Sequence, residues 1–174
     1  MNPMQVPRIE KLTLNVGAGK DQTRLEKGVV LLKMITGIEP VKTVTQKRIP
    51  AWGLRPGLPI GCMLTLRKQK AFEILKRLLQ AKEHKLMPSQ FDNAGNISFG
   101  IHEYIDIPGV NYDPKIGVIG LQVCVTLEKP GYRIKRRKLE QKKIPPVHKI
   151  TKQEAMEFMM KQFGVKIGEA HDSK

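Results

Sequence analysis

Between Lys42 and Lys70 the chain carries seven cationic side chains, Lys42, Lys47, Arg48, Arg55, Arg67, Lys68 and Lys70, and no Asp or Glu. Nothing local neutralises their field. The middle of the stretch is punctuated by Pro50, Gly53, Pro56, Gly57, Pro59 and Gly61, which oppose a continued helix or ladder and predict a basic loop over 46–61. Trp52, the only tryptophan, lies between Arg48 and Arg55. An indole flanked by guanidinium groups can stack on a base or ribose while the cations pair with phosphate; alternatively, the ring tucks back onto the core.

Other reactive residue types are present, but their spacing supports little chemistry. The turn GAGKD invites a phosphate-loop reading, since backbone N–H groups between a strand and a helix can hold an anion. A nucleotide loop needs Gly where Leu14 stands and Ser or Thr where Asp21 stands, so the pattern fails. Asp92, Glu103, Asp106 and Asp113 fall in a stretch, 88–114, without Lys or Arg, and no His or nucleophile lies at catalytic spacing from them. That stretch should face away from phosphate, toward water or a basic protein. Cys62 and Cys124 lack C-x-x-C or His neighbours; both read as buried small hydrophobes, with no metal site and no cofactor.

Alternation and helical periodicity set the elements that must position these residues. Leu12, Leu14 and Val16 alternate with Lys11, Thr13 and Asn15 in a strand over 9–16. Asp21 then caps a helix carrying Leu25, Val29, Leu32 and Ile35, which Gly37 ends. Strands follow over 41–46 and 60–68, the second placing Cys62, Leu64 and Leu66 opposite Met63, Thr65 and Arg67. A helix over 71–82 turns Ala71, Leu75, Leu78 and Leu79 inward; a short strand spans 97–101, and LQVCVTL over 121–127 alternates again. The predicted fold is α+β: a predominantly antiparallel sheet with helices on one face and an open polar face bearing Asn15, Thr65, Arg67, Gln122 and Thr126. Such a face suits the backbone and minor groove of folded RNA, where hydroxyl and amide groups meet 2′-hydroxyls. Aromatics at 5% argue against a base-stacking sheet.

A chain of 174 residues suits one domain with an appendage, here a core over 1–128 and an extension over 129–174. From 129 to 152 it has ten Lys or Arg against Glu140 alone, so this segment is expected to order only on RNA. Thr151 and Glu154 then stand at capping-box spacing before an apolar stripe of Met156, Met159, Met160 and Phe163; residues 168–174 are expected to be disordered. A formal charge of +15 points to a polyanion, and nucleic acid leads. No run approaches a membrane span and no signal peptide is visible, so a cytoplasmic protein without membrane partners is expected.

Four motifs in collinear order, LTLNVGAG, MITGIEPVKT, IPAWGLRPGLPIG followed by MLTLR, and NISFGIHEYIDIPGVNYDPKIGVIGLQVCVTLEKPGYRIKRRK, closely resemble the universal large-subunit ribosomal protein five family over residues 6–164. The basic segment and capped final helix are similar to its archaeal and eukaryotic branch. The resemblance implies a structural protein that binds 5S rRNA through the open face, with Asn15, Trp52 and Thr65 carried over as contacts and Lys11, Thr13 and Arg67 beside them. It implies a loop reaching the P-site tRNA elbow with Lys47, Arg48, Pro50, Trp52 and Arg55, and a basic extension meeting large-subunit rRNA with Arg133, Lys135, Arg136, Arg137 and Lys138. A bridge to a small-subunit head protein, contacts with neighbouring large-subunit proteins, no homo-oligomer and no catalytic residue are implied as well. Two positions depart from the family pattern: Ile38, where many members have Gln, removes one expected donor, whereas Trp52 in place of Phe keeps a stacking surface. The alternatives outside this class are a small RNA-processing nuclease, for which no catalytic spacing exists, and a protein-interaction adaptor with non-specific RNA affinity.

Overall fold

In the computed structural model, which describes residues 2–168, the first alternating stretch forms β1 (Arg8–Gly17). Leu12, Leu14 and Val16 are buried on one side of it. Asp21 caps α1 (Gln22–Thr36), its carboxylate accepting from the N–H groups of Thr23 and Arg24 at 2.9 and 3.2 Å. These bonds hold the Asp21 carboxyl below its ordinary range, with the Thr23 hydroxyl the largest influence. Gly37, in the left-handed region at φ 70°, closes the helix as its pattern predicts. Val29 is only half-buried; Leu31 takes the core position beside Leu32.

β2 (Val41–Val44) pairs antiparallel with β3 (Pro59–Leu66), with an irregularity between Thr43 and Val44. That irregularity ends β2 two residues before the expected limit of 46. α1 sits close on this part of the sheet because residue 28 has no side chain: a Cβ there would lie 3.1 Å from both Cys62 Sγ and Val16 Cγ1. Burial raises the Cys62 thiol pKa.

α2 (Lys68–Gln80) buries Ala71, Leu75, Leu78 and Leu79, the residues its spacing selects, and each such leucine contributes about 2 kcal/mol of burial free energy. It starts three residues before the expected 71 because KQK is helical yet carries no apolar period. β4 (Lys85–Leu86), β5 (Asn96–Ile101), β6 (Leu121–Glu128), a one-turn α3 (Arg133–Arg136), α4 (Lys152–Phe163) and β7 (Lys166–Ile167) complete the order. The main sheet is five-stranded and antiparallel, in the order β2-β3-β1-β6-β5; β4 and β7 form a parallel pair. The α+β architecture is therefore as predicted.

By contacts the chain divides into two compact units. One comprises residues 1–12, 67–99 and 124–174, the other 13–66 and 100–123. In the first, Phe72 of α2 packs against Phe163 of α4 at 4.8 Å between ring centroids. α4 has the capping box its sequence announces, Glu154 N–H donating to the Thr151 hydroxyl and Thr151 N–H to the Glu154 carboxylate. Its buried stripe is Ala155, Met159 and Phe163, however; Met156 is half-buried and Met160 exposed, because a repeat of four drifts away from both methionines. Of the tail expected to be disordered, 169–174 lies outside the described residues.

Candidate nucleic-acid interface

The unit formed by 13–66 and 100–123 carries polar residues on the three interior strands of the sheet. Thr13 and Asn15 on β1 are half-buried, Thr65 on β3 is exposed, and Gln122 on β6 is exposed. Asn15 Nδ2 donates to Gln122 Oε1 at 3.0 Å, which ties the two amides together; among the described residues the Asn15 oxygen and the Gln122 nitrogen have no hydrogen-bond partner. None of the four is sealed under aliphatic packing. Cys124, expected to be buried, is exposed: it shares the parity of Gln122, and only Leu121, Val123, Val125 and Leu127 face the core.

In the same unit the basic loop is an ordered hairpin extension. Thr45 N–H donates to Leu58 O at 2.9 Å and Gly57 N–H to Thr45 O at 2.8 Å; nearer the tip, Ile49 and Leu54 exchange both backbone bonds at 3.1 Å. Leu54 is buried and anchors the tip. Pro50–Trp52 form a single tight turn that Gly53, at φ 66°, closes. This turn leaves Trp52 67% exposed, which removes the core-packed alternative. Lys47, Arg48, Pro50 and Arg55 are exposed as well, and among the described residues none of the three cations pairs with a carboxylate. The nearby GAGKD turn holds no anion site, since Ala18 and Gly19 both spend their N–H groups on Ile60 O at 2.9 Å. Ile38 is half-buried, its N–H accepted by the Thr36 hydroxyl at 3.2 Å.

The other unit contains Lys11, Arg67 and the basic extension, and its charges behave differently. Glu128 and Glu10, with side chains only 8% and 16% exposed, gather three arginines. Arg8 reaches Glu128 at 2.8 Å, Arg136 bridges Glu128 and Glu10, and Arg67 lies 3.5 Å from Glu10. Arg137 folds back onto Glu140, donating through Nε to its carbonyl at 2.9 Å. Lys129 is buried, and its ammonium donates to both Glu154 oxygens at 2.8 and 2.9 Å. Burial pushes the Glu154 carboxyl up, but Lys129, the Thr151 N–H and nearby positive charge more than offset it, so its pKa lies below the usual range.

These pairs correct the expectation that 129–152 orders only on RNA. Tyr132 completes the anchoring: its hydroxyl donates to His148 O at 3.2 Å and accepts from Ile150 N–H at 3.1 Å. Arg133, Lys135 and Lys138 stay exposed, while Lys11 is half-buried. Glu10 and Glu128 were not among the candidate residues. The one available signal was Glu128, a charge ending the alternating run beside Lys129.

An ordered basic chain with exposed hydroxyl and amide groups and an exposed tryptophan has the features of the RNA-binding class of proteins. Family comparison places it more closely. Residues 2–55 match the ribosomal protein L5 family and residues 59–158 match the model of that family's C-terminus, so the chain belongs to the ribosomal protein L5 family. It is similar to the large ribosomal subunit protein uL5 of Nanoarchaeum equitans, at 47% identity over 95% of this chain and 98% of the relative. The uL5 proteins of Methanosphaera stadtmanae and Sulfurisphaera tokodaii are 46% and 45% identical, covering 96% and 97% of this chain and 99% and 96% of those relatives. The protein is accordingly a non-enzymatic, RNA-binding component of the large ribosomal subunit in the cytoplasm, acting in translation.

Proposed function

We propose that the protein fixes 5S rRNA in the central protuberance of the large subunit through the face bearing Thr13, Asn15 and Thr65. The hairpin over 45–58 contacts the elbow of the P-site tRNA through Lys47, Arg48, Trp52 and Arg55. Arg133, Lys135 and Lys138 of the extension, which continues the 1–128 core, bind large-subunit rRNA, and a further surface bridges to a small-subunit head protein. The observation that carries the reading is the pairing of Asn15 with Gln122 beside exposed Thr65: an amide donor and acceptor are held in place with hydrogen-bonding capacity left unused among the described residues.

Mobility shift with 5S rRNA tests it. Asn15→Ala combined with Thr65→Ala should weaken binding by about 1–3 kcal/mol in a protein of unchanged melting temperature. Full affinity in the folded double variant would refute the face assignment. Trp52→Ala should cost tRNA binding about 1–3 kcal/mol, and Trp52 emission should change when tRNA is added; silence in both would remove the hairpin from the interface.

A further inference from the structure

One cavity lies apart from the Asn15 and Thr65 face and from the hairpin, and shares only Lys135 with the basic surface of the extension. Within the unit that holds the basic extension, a cleft of about 620 Å³ is lined by Ala94, Tyr132, Ile144 and Ile150, with Lys135, Lys142, Lys143 and Lys149 around it. Its walls are well defined. On one side stands the turn at 92–96, closed by Asp92 N–H to Asn96 O at 2.8 Å and Gly95 N–H to Asp92 O at 3.1 Å. Gly95 is pressed so closely on Ile150 that a Cβ would come within 2.5 Å of Ile150 Cγ2. On the other side the strap 141–144 is tied back by Lys142 N–H to Ile134 O at 3.1 Å. Tyr132 is fixed by its two hydroxyl bonds, which hold the ring in position.

The four lysines differ from four of the arginines in the same unit. None pairs with a carboxylate among the described residues, whereas Arg8, Arg67, Arg136 and Arg137 all do. A mainly apolar cleft with a tethered aromatic ring and a cationic rim without carboxylate partners among the described residues matches a nucleotide: the base is apolar on both faces, and the phosphates on either side of it are anionic. An acidic peptide would satisfy the rim but leave the slot unfilled.

We propose that this cleft receives an unpaired nucleobase from a single-stranded stretch of RNA, stacked at Tyr132 between Ala94 and Ile144, with its flanking phosphates on Lys142, Lys143 and Lys149. The inference rests on the protein being an RNA binder but not on the Asn15 and Thr65 face, so the two readings fail separately.

Fluorescence anisotropy of the full chain carrying Trp52→Ala, which removes the other stacking group, decides the matter with two probes: a labelled oligouridylate and an abasic ribose-phosphate oligomer of the same length. The oligouridylate should bind at least about fivefold more tightly. Ala94→Trp, which fills the slot without changing charge, should bring it to the abasic level. Lys142→Gln with Lys143→Gln should lower the slope of log affinity against log salt by about 1.4. Asn15→Ala with Thr65→Ala should leave oligouridylate binding unchanged. Equal binding of the two probes overturns the proposal without touching the folded protein, as does an Ala94→Trp variant of native circular dichroism that keeps full preference for bases. A poly-glutamate peptide that competes as well as oligouridylate and is equally excluded by Ala94→Trp would assign the cleft to acidic protein instead.

Discussion

The hairpin at 45–58 and the extension at 129–152 are both rich in Lys and Arg, yet they use charge in opposite ways. In the hairpin, backbone bonds and buried Leu54 do the folding, and Lys47, Arg48 and Arg55 have no carboxylate partner among the described residues. In the extension some of the charges help fold the segment: Arg136 joins Glu10 to Glu128, and Lys129 is locked to Glu154. A basic run is therefore not one kind of object. Where a nearly buried acid waits elsewhere in the chain, the cation becomes part of the architecture; where none does, it stays available to phosphate.

The contrast can be broken most severely at Glu154. Glu154→Ala leaves the Lys129 ammonium buried without its counter-charge and should cost about 3 kcal/mol in urea unfolding. Lys129→Met should cost less, because Glu154 is partly exposed and keeps its Thr151 bond. A loss of under about 0.5 kcal/mol for Glu154→Ala would mean the pair is ornamental. Next, Arg136→Ala should destabilise by about 1–2 kcal/mol, discounted because its guanidinium is half exposed, whereas Arg55→Ala in the hairpin should stay within about 0.5 kcal/mol. Equal effects from the two would erase the distinction between structural and free cations.

The smallest effect is in pH. Because the Glu154 carboxyl titrates below its unfolded value, its contribution is complete above that value, near 4.5, and is lost as pH falls through the lower folded one. Thermal melts between neutral and mildly acidic pH should therefore agree, and the wild type should lose more stability than Glu154→Gln only on further acidification. A gap between the two that opens instead on the alkaline side would contradict the assignment.

Much of the fold was legible because its signals are local. The alternation of Leu12, Leu14 and Val16 sets β1, Asp21 and Gly37 bracket α1, and Thr151 with Glu154 marks the start of α4. The polar parity of Asn15 and Thr65 was likewise readable from a period of two. What escaped was long-range. The partners of Arg136 lie 126 and 8 residues away, and Tyr132 is held by residues 16 and 18 positions on, so no window of apolar content could foretell that the extension is ordered. Cys124 was misplaced for a different reason: its residue type argued for burial, while the alternation of its own strand argued for the surface and prevailed.

The division of the chain bears on the order in which it is made. Residues 13–66 and 100–123 have all been synthesised by Val123, whereas the unit with the arginine cluster draws on the first twelve residues and on everything from Cys124 onward. Growing from its N-terminus, a nascent chain thus has the hydroxyl and amide surface available before Arg136 or Glu154 exists. Glu10 and Glu128 can meet Arg67 and Arg8 early, but the bridge that joins the two acids must wait for Arg136, so the extension closes after that surface is made.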